Sequence, residues 1–432
     1  MLKTKDQLKN KTFLVYGFGK SGKACFNYLN KKNNLKIYDD KNLNVKNKYK
    51  KYFVSKKEIK NLNFDFIIIS PGINIKNCTL KNYLKNNQNK IINELDIFYF
   101  NNKKNTKITI TGTNGKSTTS KLIYEVLKYH KKDVRLVGNI GNPILKEKNI
   151  KKNTIFVIEA SSYQIDYSKY FETNIALILN IAPDHLERHK TFQNYVNAKL
   201  KLIKKQKKKS IALIEKNNGL IRDILKSQKV KSKIKNVDFK EYDSFYKKIK
   251  NNYFKNLSNI KNLSFVLKLS NILKLDNSKI LKVVNSFKGL NYRQQIVYNK
   301  KKFLIINDSK STSFSSTVPL LQSYENIYWI LGGLAKKGDK LNLNKKYFKK
   351  IKAYIYGVNK AFFLNVLKNK CRLHSSKNLK DVLSKLFSDI KKNKNGKKTI
   401  LFSPAAASFD QFKNFEERGR YFNQLLKKYV NV

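Results

Sequence analysis

Short apolar runs alternate with longer segments of helical pattern along almost the whole chain, a rhythm that points to parallel α/β architecture. A first block carries predicted strands at TFLVYG (12–17), LKIYDD (35–40) and FDFIIISPG (64–72), and ends near INELDIF (92–98). A second opens with KITITGTNGKSTT (107–119) and continues through TIFVIEASS (154–162), NIALILNIAPDH (174–185) and SIALIE (210–215). Residues 204–255 are rich in Lys and Asn and poorly patterned, which reads as a peripheral subdomain or as loops. A helical segment follows, NLSNIKNLSFVLKLSNIL (256–273). A third block restarts after SFKGLNYR (286–293) with KFLIINDS (302–309), NIYWILGG (326–333), KAYIYG (352–357) and TILFSPAAAS (399–408), and a helix is predicted over 415–429. The pattern predicts three α/β units in series, with no internal repeat.

Two glycine turns follow predicted strands. In VYGFGKSG (15–22), Gly17, Gly19 and Gly22 fit G-x-G-x-x-G, and Asp39 and Asp40 come one βαβ step later. Alone, that is a nicotinamide-dinucleotide fingerprint. In TITGTNGKSTT (109–119), a β-rich run feeds a glycine turn and Lys116 and Ser117 open a helix. Such a loop cradles phosphate oxygens with backbone N–H groups, neutralises them with the Lys and offers the hydroxyl to Mg²⁺. The strict P-loop spacing is not met, because Ile110 stands where its first glycine belongs.

Composition narrows the classes. With 432 residues, 41% of them hydrophobic, the chain can bury several cores. Neither a leader-like apolar stretch nor a run approaching about 18 apolar residues is present, so a cytoplasmic protein without a membrane partner is expected. The 3 cysteines are widely spaced and form no C-x-x-C, which indicates neither a zinc site nor a disulfide framework. The net charge of +63 would ordinarily suggest nucleic acid. The excess is nearly all Lys rather than the Arg that reads bases, and it spreads along the whole chain. A dedicated nucleic-acid-binding protein is therefore the reading from another class, and incidental polyanion adhesion at low salt the simpler one.

The second turn is joined by further motifs in a fixed order: GNIGNP (138–143), EASSYQ (159–164), NIAPDHLERH (180–189), NAKLKLI (197–203), NDSKST (307–312) and SPAAASFDQFKNFEERG (403–419). Together they resemble the Mur ligase superfamily, and within it the branch that adds D-glutamate to UDP-N-acetylmuramoyl-L-alanine. The resemblance spans essentially the whole chain. It implies a Rossmann-like domain over 1–94 that holds the UDP-substrate, a central P-loop-type ATP-binding domain over 95–288 and a Rossmann-like, amino-acid-binding domain over 289–432. It also implies ATP, Mg²⁺ (with Mn²⁺ as the alternative), D-glutamate and UDP-N-acetylmuramoyl-L-alanine as the partners of a monomeric enzyme of peptidoglycan precursor synthesis. The rival enzymes are the L-alanine- and diaminopimelate-adding ligases and folylpolyglutamate synthases.

The implied site follows residue by residue. The first glycine turn would hold the pyrophosphate of the UDP-substrate rather than a dinucleotide, through Lys20 and Ser21, with Asp39, Asp40, Lys41, Ser70, Pro71 and Gly72 around the uridine; Asn139 and Arg188 are further candidates. ATP would lie on Gly112, Thr113, Asn114, Gly115, Lys116, Ser117 and Thr118, with Asn259, Arg293 and Asp308. Activating a carboxylate as an acyl phosphate is a phosphoryl transfer, governed by positioning and charge neutralisation. Lys116 would stabilise the transferring group, Ser117 and the strand-end acid Glu159 would hold one metal, and His185 and Lys199 a second. A lysine ammonium would repel a metal, and the family resolves this by carbamylation. Lys310, Thr312, Lys336, Ser408 and Phe415 would form the D-glutamate side. The chain departs from the family at Asn291-Tyr292, commonly Pro-His, at Gln295, commonly an acid, and around Lys336, where Asp-Gly-Lys is usual.

Overall fold

The structure, a computed structural model, describes residues 5–41, 45–216, 218–226, 230–300, 302–393 and 396–430. Its strands form three sheets. The first comprises β1 (Thr12–Tyr16), β2 (Asn34–Tyr38), β3 (Phe66–Ile69) and β4 (Ile91–Ile92), in the order β2-β1-β3-β4 and all parallel. The second comprises β5 (Thr106–Thr111), β6 (Val134–Gly138), β7 (Ile155–Glu159), β8 (Ile175–Ile178), β9 (Ile211–Glu215) and β10 (Lys233–Val237). Its order is β10-β9-β8-β5-β7-β6, again all parallel. The third comprises β11 (Gln295–Asn299), β12 (Phe303–Asn307), β13 (Ile327–Gly332), β14 (Ile351–Tyr356), β15 (Arg372–Ser375) and β16 (Lys398–Phe402). Its order is β11-β12-β16-β13-β14-β15, and only β11, which carries a register shift, runs antiparallel.

Parallel strands covered on both faces read as continuous apolar runs, which is why the interior strands were legible. All six residues of β13 and the last five of β5 are buried. The strands that the pattern did not announce are β4, β6, β10, β11 and β15, and each lies at a sheet edge. An edge needs no second apolar face and commonly carries charge. In β10, KIKNV, only Val237 is buried. That strand also corrects the reading of 204–255 as peripheral: it pairs with β9 and extends the second sheet.

The chain divides into two compact units, 1–241 with 264–279 and 242–263 with 280–432. The first two sheets share the former. Their cores are continuous, with Phe13, Phe26 and Leu95 in the same cluster as Phe156, Ile178 and Val196. Helix Glu94–Asn101, ELDIFYFN, supplies the joint. It is apolar nearly all round and buried at every position from Glu94 to Phe100, as expected of a helix enclosed on all sides. The third sheet has one core on each face, around Phe387 and Phe422 on one and around Trp329 and Phe314 on the other.

Asp96 fastens that joining helix. Its carboxylate, 0% exposed, accepts the backbone N–H groups of Lys169, Tyr170, Phe171 and Asn93 at 2.7 to 3.2 Å. Removing it strands buried N–H groups, each worth about 1–3 kcal/mol if unsatisfied. Asp96→Ala is expected to lower the unfolding free energy by at least about 3 kcal/mol. Urea denaturation with a midpoint equal to that of the wild type would refute this role.

Candidate active site

The second sheet reverses its winding at β5: the chain moves from β5 to β6 and β7 on one side, then to β8 on the other. Ligands of open parallel sheets bind outside the strand carboxyl ends at such a point. The loop Gly112–Gly115 leaves β5 there and feeds helix Lys116–Tyr129, whose N-cap, Gly115, has φ +82°. That left-handed conformation suits glycine and turns the first helical N–H groups outward. Asn180, just past β8, braces the loop on both sides: its Oδ1 accepts from Asn114 N at 2.8 Å and its Nδ2 donates to Asn114 O at 3.1 Å. Thr113 Oγ1 lies 3.0 Å from the hydroxyl of Tyr195, a side chain that is 1% exposed. Neither Asn180 nor Tyr195 was anticipated as functional. Asn180 opens one of the ordered motifs, while nothing local to the sequence singles out Tyr195.

Two lysines converge on this loop. Lys116 Nζ donates to Gly112 O and Thr113 O, both at 2.8 Å, and Lys199 Nζ donates to the same Gly112 O at 2.9 Å. Lys199 is 1% exposed on helix Phe192–Lys204, with its Nζ 4.5 Å from the Tyr195 ring centroid. Burial pulls its pKa well below the ordinary lysine value and the charge of Lys116 adds to this, while Asp184 and Glu159 oppose it. The side chain is thereby pushed toward the neutral amine.

Glu159 ends β7 beside Ile110 of β5. Its Oε1 accepts from Asn139 Nδ2 at 2.9 Å, whereas its buried Oε2 has no hydrogen-bond partner. A buried carboxylate oxygen without a donor is costly unless a cation faces it. Among the described residues no group of three or more His, Cys, Asp or Glu gathers to cage a metal. A lone carboxylate with a helix-start hydroxyl, Ser117, still fits Mg²⁺, which commonly takes one or two carboxylates plus substrate phosphates and water. His185 lies past β8 with φ +55°, an uncommon backbone conformation for its type, and its ring centroid is 5.0 Å from that of Tyr163. Its ring nitrogens lie 3.5 Å from Asp184 Oδ2 and from Glu187 Oε1.

The first glycine turn sits at the corresponding reversal beside β1. Gly17 has φ +91°, and a Cβ there would come within 2.8 Å of Ser70 Cβ; a Cβ on Gly22 would meet Gly17 O at 2.0 Å. Ser70 Oγ closes the turn by donating to Gly17 O at 2.6 Å. Asp39 accepts the N–H groups of Phe18 at 2.6 Å and Lys41 at 3.0 Å, so its carboxylate holds the turn itself. Asp40 accepts from Tyr16 OH at 2.7 Å. Arg188 reaches the carbonyls of Pro71, Gly72 and Ile73 and the hydroxyl of Tyr167, joining the segment that carries His185 to the loop after β3. Lys20 opens helix Lys20–Leu29, and Ser21 donates to Glu94.

In the other unit, Thr312, Lys336 and Ser408 lie on loops leaving β12, β13 and β16 at their carboxyl ends. Paired hydrogen bonds between Leu334 and Ala407, both at 2.9 Å, bring two of those loops together. Arg293 and Lys310 lie over the Phe415 ring at 5.4 and 4.4 Å. Asp308 is buried beneath them, accepting from Gln294 N at 3.0 Å and Ser403 Oγ at 3.2 Å; burial pushes its pKa up to about 7. Asn259 is buried and donates to Tyr253 O at 2.7 Å. The departing residues close on their own segment: Tyr292 N donates to Gln295 Oε1 at 3.1 Å and Tyr292 O accepts from Lys310 N at 3.0 Å. Arg418, unanticipated though it stands in the last motif, is 0% exposed and braces Ser309 and Ala406.

Comparison with known proteins identifies the family and the fold. A family profile described as the Mur ligase middle domain matches residues 110–316. UDP-N-acetylmuramoylalanine–D-glutamate ligase of Rickettsia bellii (strain RML369-C) is 35% identical over 96% of this chain and 97% of its own. Among solved structures, MurF from Acinetobacter baumannii superposes with a TM-score of 0.59 at 15% identity, covering 77% of this chain and 79% of that one. MurF ligase from Thermotoga maritima in complex with ADP gives a TM-score of 0.56 at 15% identity, covering 99% and 100%. The structural likenesses speak for the fold, and the sequence identity for the branch. The chain belongs to the UDP-N-acetylmuramoylalanine–D-glutamate ligase family of Mur ligases.

Proposed function

We propose that this chain is an ATP-dependent amide ligase that joins D-glutamate to the carboxylate of UDP-N-acetylmuramoyl-L-alanine through an acyl phosphate. The observation that carries the reading is the convergence at Gly112, whose carbonyl accepts from both Lys116 and Lys199 beside a carboxylate oxygen left without a donor. Residues 1–94 would hold the uridine nucleotide, 95–288 ATP and 289–432 the amino acid.

ATP would lie with its phosphates on the N–H groups that open helix Lys116–Tyr129. Lys116 would exchange its two loop carbonyls for the phosphoryl group and stabilise the charge on it during transfer to the substrate carboxylate. Glu159 and Ser117 would hold Mg²⁺ or Mn²⁺ there, and His185 with a modified Lys199 a second ion. When bound, such ions neutralise phosphate oxygens. The Lys199 amine would add CO₂ at its carbon and release one proton, giving a carbamate whose oxygens are hard anionic ligands. Its burial and its neighbour Lys116 favour the neutral amine that this addition requires. Lys336, Thr312 and Ser408, with the backbone near Phe415, would bind the two carboxylates of D-glutamate.

Four outcomes test the assignment. Lys116→Ala is expected to lower kcat by about 10²-fold or more with the fold intact; a folded variant with near-normal turnover removes Lys116 from the mechanism. After exposure to ¹³C-labelled CO₂, a carbamate resonance should appear by NMR and vanish in Lys199→Arg. Full activity of a wild type that takes up no label would sink that proposal. Phosphate release should be strongest with D-glutamate; L-alanine and glycine leave donors of a two-carboxylate site unpaired, and L-glutamate cannot align both carboxylates and the amine together. Lys336→Ala should impair D-glutamate use while leaving the KM for the UDP-substrate unchanged. Ligation of L-alanine to UDP-N-acetylmuramate without D-glutamate activity would place the chain on another branch.

A further inference from the structure

Glu94 is 4% exposed and opens helix Glu94–Asn101, the helix that joins the cores of the first two sheets. Each of its oxygens takes one short bond from a different site segment. Ser21 Oγ, in the first glycine turn, donates to Oε2 at 2.6 Å, and Gln164 Nε2 donates to Oε1 at 2.6 Å. Gln164, 3% exposed, belongs to the capping box that follows Glu159: its Oε1 accepts from Ser161 N at 2.9 Å and its N–H donates to Ser161 Oγ at 3.3 Å. Asn93, the preceding N-cap residue, donates to Gln164 O at 2.6 Å and fixes the same segment from the other side. One carboxylate therefore spans the distance between the turn assigned to the UDP-substrate and the segment that carries Glu159.

We propose that Glu94 is a positioning residue that couples the two nucleotide subsites, by holding Ser21 and Gln164 on the two oxygens of one carboxylate. The proposal rests on the assignment of Ser21 to the UDP-substrate and of Glu159 to the ATP side. A serine hydroxyl has one proton, and here it goes to Glu94. Toward a pyrophosphate, Ser21 can offer its backbone N–H while Glu94 keeps the hydroxyl, or it can release the hydroxyl from Glu94. Either way the position of the first turn is set by a group that also sets the start of helix Ser162–Tyr167. The carboxylate only accepts, so the group that faces it at position 164 must donate.

The test exploits that asymmetry. In Gln164→Glu a second carboxylate faces Glu94 Oε1, acceptor against acceptor, and no flip of either group relieves it. This variant should raise the KM values for ATP and for the UDP-substrate, each by roughly tenfold, about 1.4 kcal/mol of binding. The reciprocal pair Glu94→Gln with Gln164→Glu restores every bond, since a carboxylate at position 164 can accept from the new amide on one oxygen and from Ser161 N on the other. It should bring both KM values back to within about twofold of wild type. Ser21→Ala, milder and on the first turn, should raise the KM for ATP as well as that for the UDP-substrate. Unchanged ATP KM in both Gln164→Glu and Ser21→Ala, or a folded reciprocal pair that rescues nothing, overturns the coupling. A wild-type chain that fails to turn over UDP-N-acetylmuramoyl-L-alanine with D-glutamate and ATP overturns instead the assignment on which it rests.

Discussion

Two ammonium groups cannot comfortably share one buried carbonyl, and the site is organised around that conflict. Lys116 and Lys199 both point at Gly112 O, one from the helix after β5 and the other from helix Phe192–Lys204. The repulsion is tolerable because the inner amine is driven toward its neutral form, first by burial and then by its neighbour. Close by in the same sheet, the buried Oε2 of Glu159 has no donor. A polyphosphate with its cation would relieve both imbalances, which is why an arrangement poor as a core is sound as a nucleotide site.

The scaffold for this conflict is the winding of the parallel sheets. Each glycine turn sits where its sheet reverses direction, so strand ends on both sides can reach it. From the β8 side come Asn180 and the segment through His185, and from the β7 side comes Glu159. Arg188 and Glu94 then tie the first glycine-turn region to the second. Loops at the strand ends are thus pinned by side chains of rigid neighbours.

The acid of the dinucleotide fingerprint is engaged within the turn itself. In a dehydrogenase the acid after the second strand faces a ribose. Here Asp39 is bonded to the N–H groups of Phe18 and Lys41, closing the turn on itself. The glycines serve close packing, as the contact that a Cβ on Gly22 would make with Gly17 O shows, and that requirement is the same whatever diphosphate is bound.

By itself the sequence determined the α/β class, the interior strands in chain order, both glycine turns, with Lys116 after the second, and the strand ends that carry Glu159 and His185; Lys199, Thr312, Lys336 and Ser408 were reached only through motifs that resemble the family's. The strands and the turns are written locally, as an apolar run fully covered on two faces or as a glycine turn before a helix. The edge strands β4, β6, β10, β11 and β15 were not legible, because a strand paired on one side only needs no continuous apolar run, and the pairing that makes it a strand lies far away in the chain. The same holds for Tyr195 beneath Lys199, Asn180 around the nucleotide loop, Arg418 under Ser309, and Glu94 between Ser21 and Gln164. Only tertiary structure decided these, since each works through a partner brought close by folding, with nothing beside it in sequence to mark the meeting.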